Sequence, residues 1–141
     1  MKKISLGLLA LVGCVSNGPF NVIAVVPIGT RDLYACAMEQ LYAMDYFLED
    51  VRRPSGFTLA ARIIARKKTS GGLQDFVTGE AQYSRLTVDI YDRDDGESQT
   101  LRVSSGVITD GTRGIRRMGS PSEETKSEVQ ALLDECSGSA G

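Results

Sequence analysis

The sequence predicts an α+β domain in which two helices pack on one face of a small antiparallel meander of three to four strands, in the order β-α-β-β-β-α. Three observations predict it. Apolar residues between positions 57 and 107 alternate with polar ones at period two, those between 33 and 51 recur at three- and four-residue steps, and a second helical segment ending at Cys136 has a clear start signal. The chain of 141 residues suffices for one core and not two.

Taken in order, the chain opens with MKKISLGLLALVGC: two lysines, an apolar run from Ile4 to Val12 broken by Ser5 and Gly7, then a small residue and a cysteine. The run is about ten residues, where a helix needs roughly twenty to cross a bilayer, so residues 1–13 read as a secretory signal rather than a permanent anchor. Leu11-Val12-Gly13-Cys14 resembles the lipobox of bacterial lipoproteins. That resemblance implies cleavage before Cys14, acylation of its sulfur, and attachment to a membrane through the acyl chains. Two or three chains, at about 0.8 kcal/mol per buried CH₂, make a lasting tether. Val15 follows the cysteine, where inner-membrane retention in that family usually uses Asp, so the resemblance implies an outer-membrane anchor facing the periplasm. Removing Lys2 and Lys3 with the leader leaves 14 basic residues against 18 acidic ones.

Residues 14–19, with the breakers Ser16-Asn17-Gly18-Pro19, read as a lipidated linker to a single domain over 20–136. Phe20 to Ile28 is a compact apolar run rich in Val and Ile, read as a short buried strand. From Asp32, a plausible N-cap, to Val51 the apolar positions Leu33, Ala37, Leu41, Met44, Leu48 and Val51 predict a helix that stops before Arg53-Pro54-Ser55-Gly56. Three strands follow, alternating over Phe57–Arg66, Leu86–Tyr91 and Thr100–Val107, with Asp95-Gly96 as the turn of a hairpin. Ser120 as cap, Pro121 at the first helical position and Glu123 three residues after the cap predict the last helix. Its apolar edge is Val129, Leu132, Leu133 and Cys136, and 137–141 is a flexible tail. The element order is similar to helix-and-sheet modules of small envelope lipoproteins, which is an analogy of fold alone.

Several constellations are candidates for function. Cys36 and Cys136 form an even pair once Cys14 is acylated, and in an exported chain that favours a disulfide over two separate buried thiols. Arg62, Arg66, Lys67 and Lys68 end one strand, and Arg113, Arg116 and Arg117 lie in a Gly-rich connection. If they converge they make a cationic patch for lipid head groups or anionic glycans; otherwise they are solvated strand edges. A stripe of Tyr34, Met38, Tyr42 and Tyr46 beside the first helix's apolar face fits either the core or a protein partner.

The composition also excludes classes. The mildly acidic balance argues against nucleic acid. There is no histidine, so no Ser-His or Cys-His pair and no His-ligated metal. The acidic turn from Asp92 fails the EF-hand pattern, because position 5 is Gly96 and position 12 is Val103. No catalytic residues, cofactor or metal are expected. The expected function is a non-enzymatic interaction or structural module in a cell-envelope assembly, with an envelope protein as partner; the alternative is a module binding lipid or anionic glycan, and a small hydrolase is less favoured.

Overall fold

The computed structural model describes residues 19–27, 32–52, 59–68, 81–110 and 116–138, with the backbone alone at 81, 116 and 117. The expected leader, Cys14, most of the linker, Arg113 and the end of the tail lie outside these residues. The elements are β1 (Phe20–Pro27), α1 (Leu33–Ala43), β2 (Phe47–Arg52), β3 (Leu59–Lys68), β4 (Ala81–Asp92), β5 (Ser98–Asp110), β6 (Arg116–Gly119) and α2 (Glu123–Ser137). Among the described residues the α+β class with two helices agrees with the sequence reading, but the sheet is larger, with six strands in the order β1-β5-β4-β3-β2 and β6 also paired to β5. All of its ladders are antiparallel.

Helix α1 corrects the expected helix from Asp32 to Val51. Asp32 caps it as expected, its carboxylate accepting from the Tyr34 and Ala35 amides. The helix stops at Ala43 because residues 44–46 form a Schellman-type end. The Asp45 amide donates to Tyr42 O at 3.1 Å and the Tyr46 amide to Leu41 O at 2.9 Å. Asp45 sits there at φ 65, a left-handed conformation that Asp tolerates better than most residues. Beyond it, Leu48 and Val51 reach the same core from an edge strand, whose bulge between Leu48 and Asp50 gives them helix-like spacing.

Helix α2 is capped two residues later than expected. Ser122, not Ser120, accepts from the Thr125 amide at 3.2 Å, and Pro121 precedes the cap. Glu123 and Glu124 then stand in the first turn, where the helix dipole favours negative charge. Gly138 ends the helix at φ 83.

Both helices cover one face of the sheet. Leu33, Cys36, Ala37 and Leu41 of α1 and Val129, Leu132, Leu133 and Cys136 of α2 pack on Ala61, Ile63, Ala65, Leu86, Val88, Ile90, Leu101 and Val103. Each fully buried Leu or Ile contributes about 1.5–3 kcal/mol. Cys36 and Cys136 form a disulfide between the helices, with Cα atoms 5.7 Å apart and 100 residues between them in sequence. Two polar ties supplement the apolar contacts. Ser84 on β4 meets Thr125 on α2 at 3.0 Å. Glu128 on α2 accepts from Tyr46 Oη at 3.0 Å and from Lys67 Nζ, which also donates to the Met44 carbonyl at 3.0 Å. Burial, with the Glu128 carboxylate beside it, holds the Tyr46 phenol well above its ordinary pKa.

Candidate functional site

With the helices on one face, strand alternation turns every second residue of the sheet to the other face. Antiparallel register arranges these residues in rungs. One rung reads Arg52, Arg62, Asp89, Arg102, Ile23 across β2, β3, β4, β5 and β1; the next reads Asp50, Ile64, Thr87, Ser104, Asn21; a third places Arg66 opposite Arg85 and Arg85 opposite Gly106. Ile23 and Val25 remain more than half exposed on this face.

The first rung contains a buried charge. Asp89 is 0% exposed, although it lies on the face opposite the two described helices. Arg62 grips it through Nε at 2.6 Å and Nη2 at 3.2 Å, and Arg102 donates from Nη2 at 2.8 Å. The Tyr91 hydroxyl approaches at 3.4 Å, and the Arg102 guanidinium lies over its ring. Burial opposes the charge on Asp89, yet the two guanidiniums outweigh it and hold the carboxyl below the usual carboxylate range.

At the end of the sheet where β2 begins, a cavity of about 390 Å³ is lined by Asp45, Phe47, Arg66, Lys67, Lys68, Gln82, Tyr83 and Asp110. Arg66 lies over two rings, 6.0 Å from the centroid of Phe47 and 5.5 Å from that of Tyr83. Phe47 is nevertheless 67% exposed, and Tyr42, on the adjoining groove past Asp45 and Leu48, is 60% exposed. Ring faces, cationic donors and two carboxylates converge here, a set suited to holding a ring-bearing or anionic group.

The sequence candidates distribute as follows. Arg66, Lys67 and Lys68 come together at the cavity, but alternation sends Lys67 to the helix side, where its ammonium is engaged with Glu128 and packs 4.8 Å from the Tyr46 ring centroid. Arg116 and Arg117 begin β6, which pairs with β5. Three strand spacings of about 4.8 Å therefore separate their backbone from that of Lys67 and Lys68. The strands that carry the two described basic segments are therefore not neighbours in the sheet. The stripe of Tyr34, Met38, Tyr42 and Tyr46 is not a single face either. Tyr34 and Met38 pack half-buried against the core, Tyr42 is exposed, and Tyr46 lies past the helix end, buried. The cysteine pair is joined as expected.

Sequence reasoning missed Phe47, Arg85 and the Arg62–Asp89–Arg102 cluster. The polar phase of each strand was readable, and Asp89 and Arg102 fall on it; the register that sets them side by side depends on strand pairing, which no single strand encodes. Comparison with known proteins adds no family: no protein-family model matches this chain, and no curated protein is similar to it.

Proposed function

We propose that this chain is an envelope lipoprotein, acylated at Cys14 and directed to the outer membrane, whose domain acts as a non-enzymatic interaction module docking an envelope protein at the rim formed by Tyr42, Phe47 and Arg66. The observation that carries the docking is the exposure of two large aromatic side chains on either side of one turn, beside a cavity with an arginine at its wall. Aromatic residues and arginine are the types that dominate binding energy at interfaces. The tether rests on the lipobox resemblance.

Two measurements test this reading. Wild-type protein in a Gram-negative host should fractionate with membranes and Cys14→Ala should be released; a soluble wild type overturns the tether. A photo-crosslinking residue at position 47 should capture an envelope protein in that host, and Phe47→Ser with Tyr42→Ser should prevent co-purification of the same partner. No crosslink above that of a control position overturns the docking site.

A second reading is favoured by one feature, the stacking of Arg66 between Phe47 and Tyr83 with Gln82 and Lys68 beside it. Such a wall suits an anionic glycan or lipid head group. Binding to lipopolysaccharide or anionic vesicles that falls with salt and with Arg66→Gln supports it; binding unchanged by Arg66→Gln removes it.

A further inference from the structure

We propose that a trough on the open face of the sheet, with Thr87, Ser104 and Asn21 on its floor and Arg85 at its wall, binds an oxyanion, the phosphoryl or carboxylate group of a larger ligand. The trough encloses about 210 Å³ at the junction of β1, β4, β5 and β6. That is room for several waters at about 30 Å³ each, and so for a tetrahedral oxyanion with space beside it.

Four observations point to an anion. Among the described residues the lining contains one charged side chain, Arg85, and no carboxylate. Arg85 Nε is buried and has no hydrogen-bond partner; it is ion-paired with the Glu49 carboxylate at 4.0 Å, a distance too long for a hydrogen bond. Arg102, one rung beyond the floor and outside the trough's lining, has a second such atom. Its Nη2 is engaged with Asp89, and its Nε is buried without a partner. Among the described residues these two are the buried side-chain nitrogens without partners, and their rungs flank the rung Thr87–Ser104. Buried guanidinium N–H groups left unpaired are costly, and an acceptor arriving from solution would remove that cost.

The floor complements this. Ser104 Oγ and Asn21 Oδ1 are hydrogen-bonded to each other. With that oxygen occupied, the Asn21 amide N–H₂ remains to donate, and Thr87 adds a hydroxyl. Gly106 completes the shape. A Cβ there would lie 3.2 Å from both the Gly119 carbonyl oxygen and Met118 Cγ, so its absence lets β6 close one end of the trough. Arginine with hydroxyl and amide donors is a phosphate- or carboxylate-binding set. This site is separate from the rim at Phe47 and stands whether or not that rim docks a partner.

The test titrates the full-length chain, in a non-ionic detergent and phosphate-free low-salt buffer, with inorganic phosphate and in parallel with acetate, following backbone amide shifts. Saturable shifts at Thr87, Ser104 and Gly106 are expected. Arg85→Gln should weaken the binding by at least about fivefold, the loss of one charge-assisted hydrogen bond, while Arg93→Gln, in the turn between β4 and β5, changes it less than about twofold. If Arg85→Gln fails to fold by circular dichroism, the near-isosteric Thr87→Val takes its place and should also weaken binding. Tighter phosphate than acetate assigns a phosphoryl group, and the reverse assigns a carboxylate. No saturable shift with either anion, or binding that survives both Arg85→Gln and Thr87→Val, overturns the site.

Discussion

Replacing Asp89 by Asn tests whether the open face holds together around a single buried charge. The substitution keeps the shape but removes the charge and puts an amide N–H₂ toward two guanidiniums. Three charge-assisted hydrogen bonds are affected, at 2.6, 2.8 and 3.2 Å. Each contributes about 1.5–3 kcal/mol when fully enclosed. Asp89 is enclosed, but the Arg62 and Arg102 side chains are 37% and 39% exposed and can recover water when released. Screening at that exposure reduces the sum to about 2–4 kcal/mol. For a domain of this size that corresponds to a melting temperature lower by roughly 8–16 °C.

Urea denaturation of wild type and Asp89→Asn, followed by far-ultraviolet circular dichroism, reads the difference directly. Its pH dependence has a definite sign. The folded carboxyl titrates below its unfolded value of about 3.9, so the unfolded state binds the proton first as pH falls. The stabilisation is fully present above about pH 5 and is lost as the pH drops through the folded value. The gap between the two proteins should be flat from about pH 5 to 8 and close below about pH 4. A gap under about 1 kcal/mol at neutral pH, or one that persists unchanged into acid, would refute the reasoning.

Other consequences concern the helix side. Reducing the disulfide, or replacing Cys36 and Cys136 by Ser, should cost about 3–5 kcal/mol, since the bond closes a loop of about 100 residues; urea midpoints with and without reductant measure it. The raised pKa of Tyr46 means that the unfolded phenol ionises first, so wild-type stability should fall as pH rises above about 10, and Tyr46→Phe should show no such fall in alkaline melts. Lys67→Met should cost about 1–3 kcal/mol by leaving the half-buried Glu128 with Tyr46 as its remaining contact, measured by the same urea midpoints.

How far the sequence reveals this fold differs between elements. The long strands were legible because alternation is local: Leu86, Val88 and Ile90, or Leu101 and Val103, face the same way whatever they pair with. The cysteine pair was legible from its even count once residues 1–13 are read as an export signal and Cys14 as acylated. Helix α1 was misjudged because Met44, Leu48 and Val51 satisfy a helical spacing while serving a turn and a bulged edge strand. The signal that separates the two is Asp45 in a left-handed conformation, which most often calls for Gly or Asn and was invisible without either. Strand β6 had no apolar pattern to reveal it, since it forms four residues beside Val107–Asp110. Of the candidate sites, Arg66 was found through a basic run. Arg85 stands singly in its strand, and its neighbours come from pairing.

The middle of the open face is hard to explain by stability alone, and that can be tested. Along β3 to β5, the two rungs that flank Ile64–Thr87–Ser104, namely Arg62–Asp89–Arg102 and Arg66–Arg85–Gly106, hold four arginines and one aspartate. Arg66 and Arg85 stand directly opposite one another, a like-charge pair of the kind that weakens a sheet. Arg66 relieves this by lying over the Phe47 and Tyr83 rings, whereas Arg85 leaves its Nε buried without a hydrogen bond. If the arginine is kept for a ligand, Arg85→Thr should lose anion binding and leave stability unchanged or higher by about 0.5 kcal/mol, since threonine suits a strand and removes the repulsion. Paired urea and phosphate titrations decide it. Destabilisation beyond about 1 kcal/mol would show that Arg85 supports the sheet itself, and the excess of guanidinium on this face would then be structural.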